Sequence, residues 1–150
     1  MRAEVKPTAT APKSKAPTVT IRMAENSEGR TIGALVVAAG FDVARLDWAV
    51  VNPWWLVAEI DGHIVGCIDI LPSRPVGRLE MLAVHPELSN RKRAKVVKAL
   101  LGHGLALLQR AGCEIGAGIV PEGMEGYRKV LEHRGSRAIT EGTLYAKLLR

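Results

Sequence analysis

The sequence predicts a mixed α/β domain whose front half is antiparallel and whose later strands are linked by crossover helices, and three observations predict it. Short β-branched apolar runs alternate with longer stretches whose apolar residues recur at helical spacing. Two of the runs, WWLVAEI and IVGCIDILP, are separated only by Asp61-Gly62-His63, and an Asp-Gly pair supplies the positive φ of a tight hairpin turn. The order read along the chain, β-αα-β-β-β-α-β-α-β, contains no internal repeat and fits one mixed sheet with helices against it. At 150 residues and 47% apolar content, the chain buries a core without disulfide or metal staples.

Each element has its own local reason. Residues 1–17 hold Pro, Thr, Ala and Lys with almost no large apolar side chain, so they predict an extended basic arm, and the domain proper runs over 18–150. From Thr18, TVTIRMAE alternates apolar and polar residues as a half-buried strand does, and EGRTIGALVVAAGF and DVARLDWAVV read as two short helices. After the hairpin, VGRLEMLAVHP predicts a strand over 76–85 ended by Pro86, with Ser89 or Asn90 placed to cap the next helix. That helix is predicted over 91–110, where Val96, Val97, Leu100, Leu101, Leu105 and Leu108 share one face while Arg91, Lys95 and Lys98 line another. CEIGAGIV predicts a strand over 113–120. EGMEGYRKVLEHRG predicts a helix stopped by Gly135 in the left-handed cap position, and TLYAKLLR a last strand.

The net charge of +6 is unevenly spread. Residues 1–17 carry +3 and the cluster Arg91, Lys92, Arg93, Lys95, Lys98 carries +5, so the rest of the chain is slightly acidic. Localised charge of this kind suits contact with an acidic protein partner through the arm and the basic helix start, or a weak contact with nucleic acid. No stretch has the length and apolarity of a membrane span, and no apolar run adjoins the N-terminal charges as in a secretory leader, so a cytoplasmic setting is expected. Cys67 and Cys113 lie in separate apolar runs without metal-ligand spacing; they read as buried inert thiols, and no metal site is expected. Trp48, Trp54 and Trp55 have no interleaved basic residues, so packing explains them better than base stacking. His63 at the hairpin tip and His85 after the strand read as solvated loop histidines.

From Thr18 to Arg150, the element order, the hairpin VAEIDGHIVGCIDI and the segments LEMLAVHPEL and YRKVLEHRG resemble the GCN5-related N-acetyltransferase (GNAT) family. The resemblance implies a central mixed sheet of six to seven strands with flanking helices, and acetyl-coenzyme A bound in a V-shaped gap between the strands at 76–85 and 113–120. It implies further that the pantetheine arm pairs with backbone near Leu82, Ala83 and Val84. The pyrophosphate would rest on the turn opening the following helix, over Lys92, Arg93, Ala94, Lys95, Val96 and Val97, where free amides and the positive helix end favour anions.

The family pattern at that turn, Arg/Gln-x-x-Gly-x-Gly/Ala, puts residues without side chains where backbone meets phosphate. Anchored on Lys98-Ala99-Leu100-Leu101, Lys92 takes the Arg/Gln position, and Lys95 and Val97 take the two glycines; no glycine occurs between Pro86 and Leu101. A lysine and a β-branched valine would then crowd the pyrophosphate. The family's proton-donating tyrosine, counted back from Gly135, falls on Leu131, with Tyr127 one helical turn earlier. Tyr127 is thus a candidate acid only if the helix is shifted. Glu80, alternating with Leu82 and Val84, is a candidate base that also suits a salt bridge to Arg78.

Three functional readings follow. The departures from the family pattern favour a GNAT-fold protein that no longer catalyses, binds no cofactor and serves as a structural or adaptor subunit. A similar helix start and a leucine at the tyrosine position occur in the GNAT-like small internal virion protein of T7-like podoviruses, a likeness resting on SNRKRAKVVKALL and LEHRGS that would place the chain in a phage virion. The alternative is a working N-acetyltransferase that moves acetyl from acetyl-coenzyme A to an amine. A nucleic-acid-binding module, supported by the two basic clusters alone, is the third.

Overall fold

The computed structural model describes residues 17–41 and 54–139. Five strands form one sheet in sequence order: β1 (Val19–Met23), β2 (Trp55–Ile60), β3 (His63–Leu71), β4 (Val76–Val84) and β5 (Ile115–Gly118). The first four pair antiparallel and β5 joins β4 in parallel. Three helices accompany them: α1 (Gly29–Ala38), α2 (Asn90–Arg110) and α3 (Glu125–His133). The mixed α/β architecture is the expected one, with five strands among the described residues. The arm up to residue 16, the helix expected over DVARLDWAVV, Trp48 and the strand expected over TLYAKLLR lie outside them.

Local chemistry sets the joints. Asp61 and Gly62 take φ of 52° and 77°, the two positive values that let a two-residue turn match the twist of β2 and β3. Ser89 is the N-cap of α2, its Oγ accepting the Lys92 amide at 3.4 Å. Gly135 closes α3 at φ 85°, and the amide of Ser136 returns to the Leu131 carbonyl at 3.0 Å.

The sheet is covered on both faces. Alternation along the strands sends Leu56, Ala58, Ile60, Ile68, Ile70, Leu79 and Leu82 to one side, where Val96, Val97, Leu100, Leu101 and Leu108 of α2 meet them. Trp55, Val57, Cys67 and Ala83 face the other way, against Ile32, Leu35 and Val36 of α1. The α2 helix packs closely on the sheet through glycines on both sides of the seam, Gly66 on β3 and Gly104 on α2 itself. A Cβ on Gly66 would come within 2.8 Å of Val96 Cγ1, and one on Gly104 within 2.9 Å of a Leu79 methyl. Cys67 is buried and burial pushes its thiol up to about 12, so it is inert; Cys113 is half-buried. Trp55 is a core residue at 3% exposure, whereas Trp54 is exposed.

One ion-pair group ties the front edge together. The Arg22 guanidinium donates to Glu28 on the turn before α1, at 2.6 and 2.9 Å, and to Glu59 on β2 at 3.1 Å. Replacing Arg22 with leucine strands two half-buried carboxylates and should cost about 1–3 kcal/mol in urea unfolding at neutral pH. The hydrogen bonds from Arg22 hold the Glu28 carboxyl below its ordinary range, so this contribution is present above that range and fades as pH falls through the lowered value. The gap between wild type and variant should therefore narrow in acid.

Candidate functional site

The parallel pairing of β4 with β5 runs from Val76↔Ile115 to Leu79↔Gly118 and stops there. Residues 80–84 of β4 keep β3 on one side, through Cys67↔Ala83 and Gly66↔Val84, but have no ladder partner on the other among the described residues. The sheet therefore forks beside Leu82, Ala83 and Val84, and that strand edge offers backbone donors and acceptors to a ligand. A β-bulge sits at the fork. Between Asp69↔Glu80 and Cys67↔Ala83, β4 carries two residues against the single Ile68, and Met81 takes a φ of 51° that side chains rarely adopt.

The start of α2 differs from the expected crowded turn. Val96 is fully buried and Val97 is 8% exposed, so both point into the core under the helix, and the valine expected to obstruct a phosphate does not face the turn. The amphipathic period of the helix decides this, because these two valines continue the stripe of Leu100 and Leu101. Lys95 reaches back to donate to the Pro17 carbonyl at 3.1 Å, and Arg93 donates to the Pro86 carbonyl at 2.7 Å. Arg91, Lys92 and Ala94 are exposed.

Positive charge gathers instead one to two turns along. A cleft of about 590 Å³ between α2 and α3 is lined by Lys98, Lys129, Val130, His133 and Arg134. Arg134 is anchored there, donating to the Lys98 carbonyl at 3.0 Å and lying over Gly102, where a Cβ would stand 3.4 Å from its Nη2. A cleft of this size and charge suits a polyanion.

On α3, Leu131 packs against the core, and the phenol comes from Tyr127. Tyr127 is 5% exposed, and its hydroxyl lies 3.5 Å from where a Cβ on Gly118 would stand. Gly118 is the last residue paired to β4, so the hydroxyl is at the fork itself. Its proton is firmly held, since burial pushes the group up to about 12.

The α1 side of the fork carries acid. Glu80 stands opposite Asp69 across the β3–β4 pair, and its Oε1 lies 3.2 Å from Arg78 Nη1, close enough for an ion pair but out of hydrogen-bond alignment. Asp69 is 6% exposed, and its carboxyl is pushed up to about 7 by burial and then by the charge of Glu80. The structure thus places Glu80 on the α1 face and the Tyr127 hydroxyl on the α2 face of the sheet where β4 and β5 part, next to the 82–84 edge, and turns Val96 and Val97 into the core. Sequence reasoning missed Asp69, although a lone carboxylate inside the apolar run IVGCIDIL was a visible signal. His63 is exposed at the hairpin tip, and no group of metal-ligating side chains occurs among the described residues.

A mixed sheet that forks between a bulged antiparallel strand and a parallel neighbour, with helices on both faces, defines the class of fold. The chain belongs to the acetyltransferase (GNAT) family, whose pattern its residues 39–125 match. No curated protein matches it at the level of sequence. Solved structures match the fold. An aminoglycoside N-acetyltransferase of type AAC(6')-Iy, in complex with CoA, superposes with a TM-score of 0.67 at 20% identity over 89% of this chain and 97% of its own. The ribosomal-protein-alanine N-acetyltransferase from Brucella melitensis gives 0.65 at 18% identity over 86% and 99%. N-acetylglutamate synthase from Neisseria gonorrhoeae, complexed with coenzyme A and L-arginine, gives 0.62 at 20% identity over 74% of this chain and 26% of its own. None of these is a virion protein, and no helix among the described residues is long and apolar enough to cross a membrane.

Proposed function

We propose that the chain is an acetyl-coenzyme A-dependent N-acetyltransferase acting on an amine, the alternative reading of the sequence in preference to a non-catalytic adaptor. The observation that carries it is a strand edge that has no ladder partner among the described residues, with a buried tyrosine hydroxyl on one face of the fork and a carboxylate on the other. Two features on which the adaptor reading rested weaken together: Val97 turns into the core, and a phenol reaches the fork from Tyr127 although Leu131 holds the family position. Similar folds carrying coenzyme A support the same choice.

The residues fit that ligand chemically. Lys98, Lys129, His133 and Arg134 would hold the phosphates by charge-assisted hydrogen bonds, and backbone at Leu82, Ala83 and Val84 would pair with the amide-bearing arm. Acetyl-coenzyme A, when bound, supplies an activated acyl thioester. Glu80 accepts the proton an ammonium must lose before its nitrogen is nucleophilic, directly or through one water. Tyr127 gives its hydroxyl proton to the departing sulfur. Holding both groups at one fork supplies orientation as well as proton transfer.

Thermal shift and calorimetry with acetyl-coenzyme A test the reading. At a hundredfold excess over Kd, binding should add about 2.7 kcal/mol of stability, and Arg134→Glu should abolish most of it. Absence of any shift at millimolar acetyl-coenzyme A removes the proposal.

A further inference from the structure

Resting on the reading of Glu80 as the base, we infer that Asp69 is a positioning residue that shares one proton with Glu80 and so sets the charge available at the fork. Asp69 and Glu80 are directly opposed across β3 and β4 on the same sheet face, where facing Cβ atoms are about 5 Å apart. Asp69 Oδ1 and Glu80 Oε1 are both buried, and neither has a hydrogen-bond partner among the described residues. Two facing carboxylates, each with a buried oxygen that accepts no hydrogen bond among the described residues, are costly in both ways, through mutual repulsion and through lost hydration. One proton held between them removes the repulsion and satisfies both oxygens.

The surroundings leave few other groups to serve. On β3 the nearest titratable neighbour on this face is Cys67, whose thiol stays protonated. On β2 the residue opposite Asp69 is Trp55. The helix covering this face, α1, presents Ile32, Leu35 and Val36, and its one ionisable side chain, Arg30, is exposed. On β4, Arg78 stands by Glu80 with half its surface in solvent. Glu80 faces that cation and Asp69 has no ion pair among the described residues, so Asp69 is the member that holds the proton, which agrees with the direction in which its surroundings move it.

Infrared difference spectroscopy of the full chain reads this without reference to turnover. A protonated-carboxyl carbonyl band should be present in wild type near pH 6, fade as pH rises through neutrality and be missing from Asp69→Asn. In Glu80→Gln, the band should persist and fade at a lower pH, because the neighbouring charge that held the proton is gone. A midpoint unchanged in Glu80→Gln would show Asp69 protonated by burial alone and overturn the inference, as would absence of the band from wild type. The functional arm is the pH profile of kcat at saturating substrates, where the inflection near neutrality should disappear in Asp69→Asn. An inflection that survives refutes the positioning role. If Glu80→Gln turns over normally, the base assignment fails, while the infrared result still decides whether the pair shares a proton.

Discussion

Replacing Glu80 with glutamine should lower kcat for acetyl transfer by about 10²–10⁴-fold at neutral pH, the range a positioned general base supplies. The amide keeps the shape of the side chain but cannot take a proton from an ammonium. Stability should stay level against that fall, because the amide keeps the packing, Glu80 Oε1 has no hydrogen bond among the described residues, and the ion pair to the half-exposed Arg78 is worth little. That contrast makes the experiment informative: a fall in kcat through misfolding would come with a lower unfolding midpoint. KM for acetyl-coenzyme A should change little, since the basic cleft is built by α2 and α3 and Glu80 faces α1. A variant that retains kcat to within about threefold would leave the amine to be deprotonated by solvent and would remove Glu80 from the mechanism.

Much of the fold was legible because short-range chemistry dictated it. Asp61-Gly62 named the hairpin, Gly135 named the end of α3, and the apolar period of α2 named its buried face. The same period held the answer to the supposed obstruction. Val97 was matched to a glycine of a family pattern, yet its spacing from Leu100 and Leu101 already put it inside. The fork was less legible. A bulge at Met81, a residue with no intrinsic preference for positive φ, depends on how β3, β4 and β5 settle together, and nothing local announces it. Asp69 was passed over because an alternating strand hides which polar residue faces a helix until the partner elements are in place. Tyr127 was discounted by counting along the family pattern. What decides its position is the start of α3 at Glu125, which sets Tyr127 in the first turn beside Gly118 and packs Leu131 against the core.

That displacement leads to the second large effect. Tyr127→Phe should reduce kcat by about 10²-fold while KM and the unfolding midpoint hold, since the ring that fills the core is retained and only the proton donor is lost. Because burial pushes the hydroxyl up to about 12, it remains a donor throughout the neutral and mildly alkaline range, and its ionisation should add no alkaline limb to the wild-type profile there. The loss on substitution should accordingly be uniform with pH. Steady-state kinetics with substrates of differing thioester leaving-group acidity sharpen the point. A thiolate that leaves readily needs little protonation, so the deficit of the phenylalanine variant should shrink as the leaving thiol becomes more acidic. Moving the phenol to the family position tests the geometry from the other side. Leu131→Tyr, added to Tyr127→Phe, should not restore turnover and should cost about 1–3 kcal/mol by overfilling the place where Leu131 packs. Recovery of kcat in that double variant would mean that α3 sits one turn from where the fork requires it, and equal turnover in Tyr127→Phe would make the tyrosine a packing residue alone.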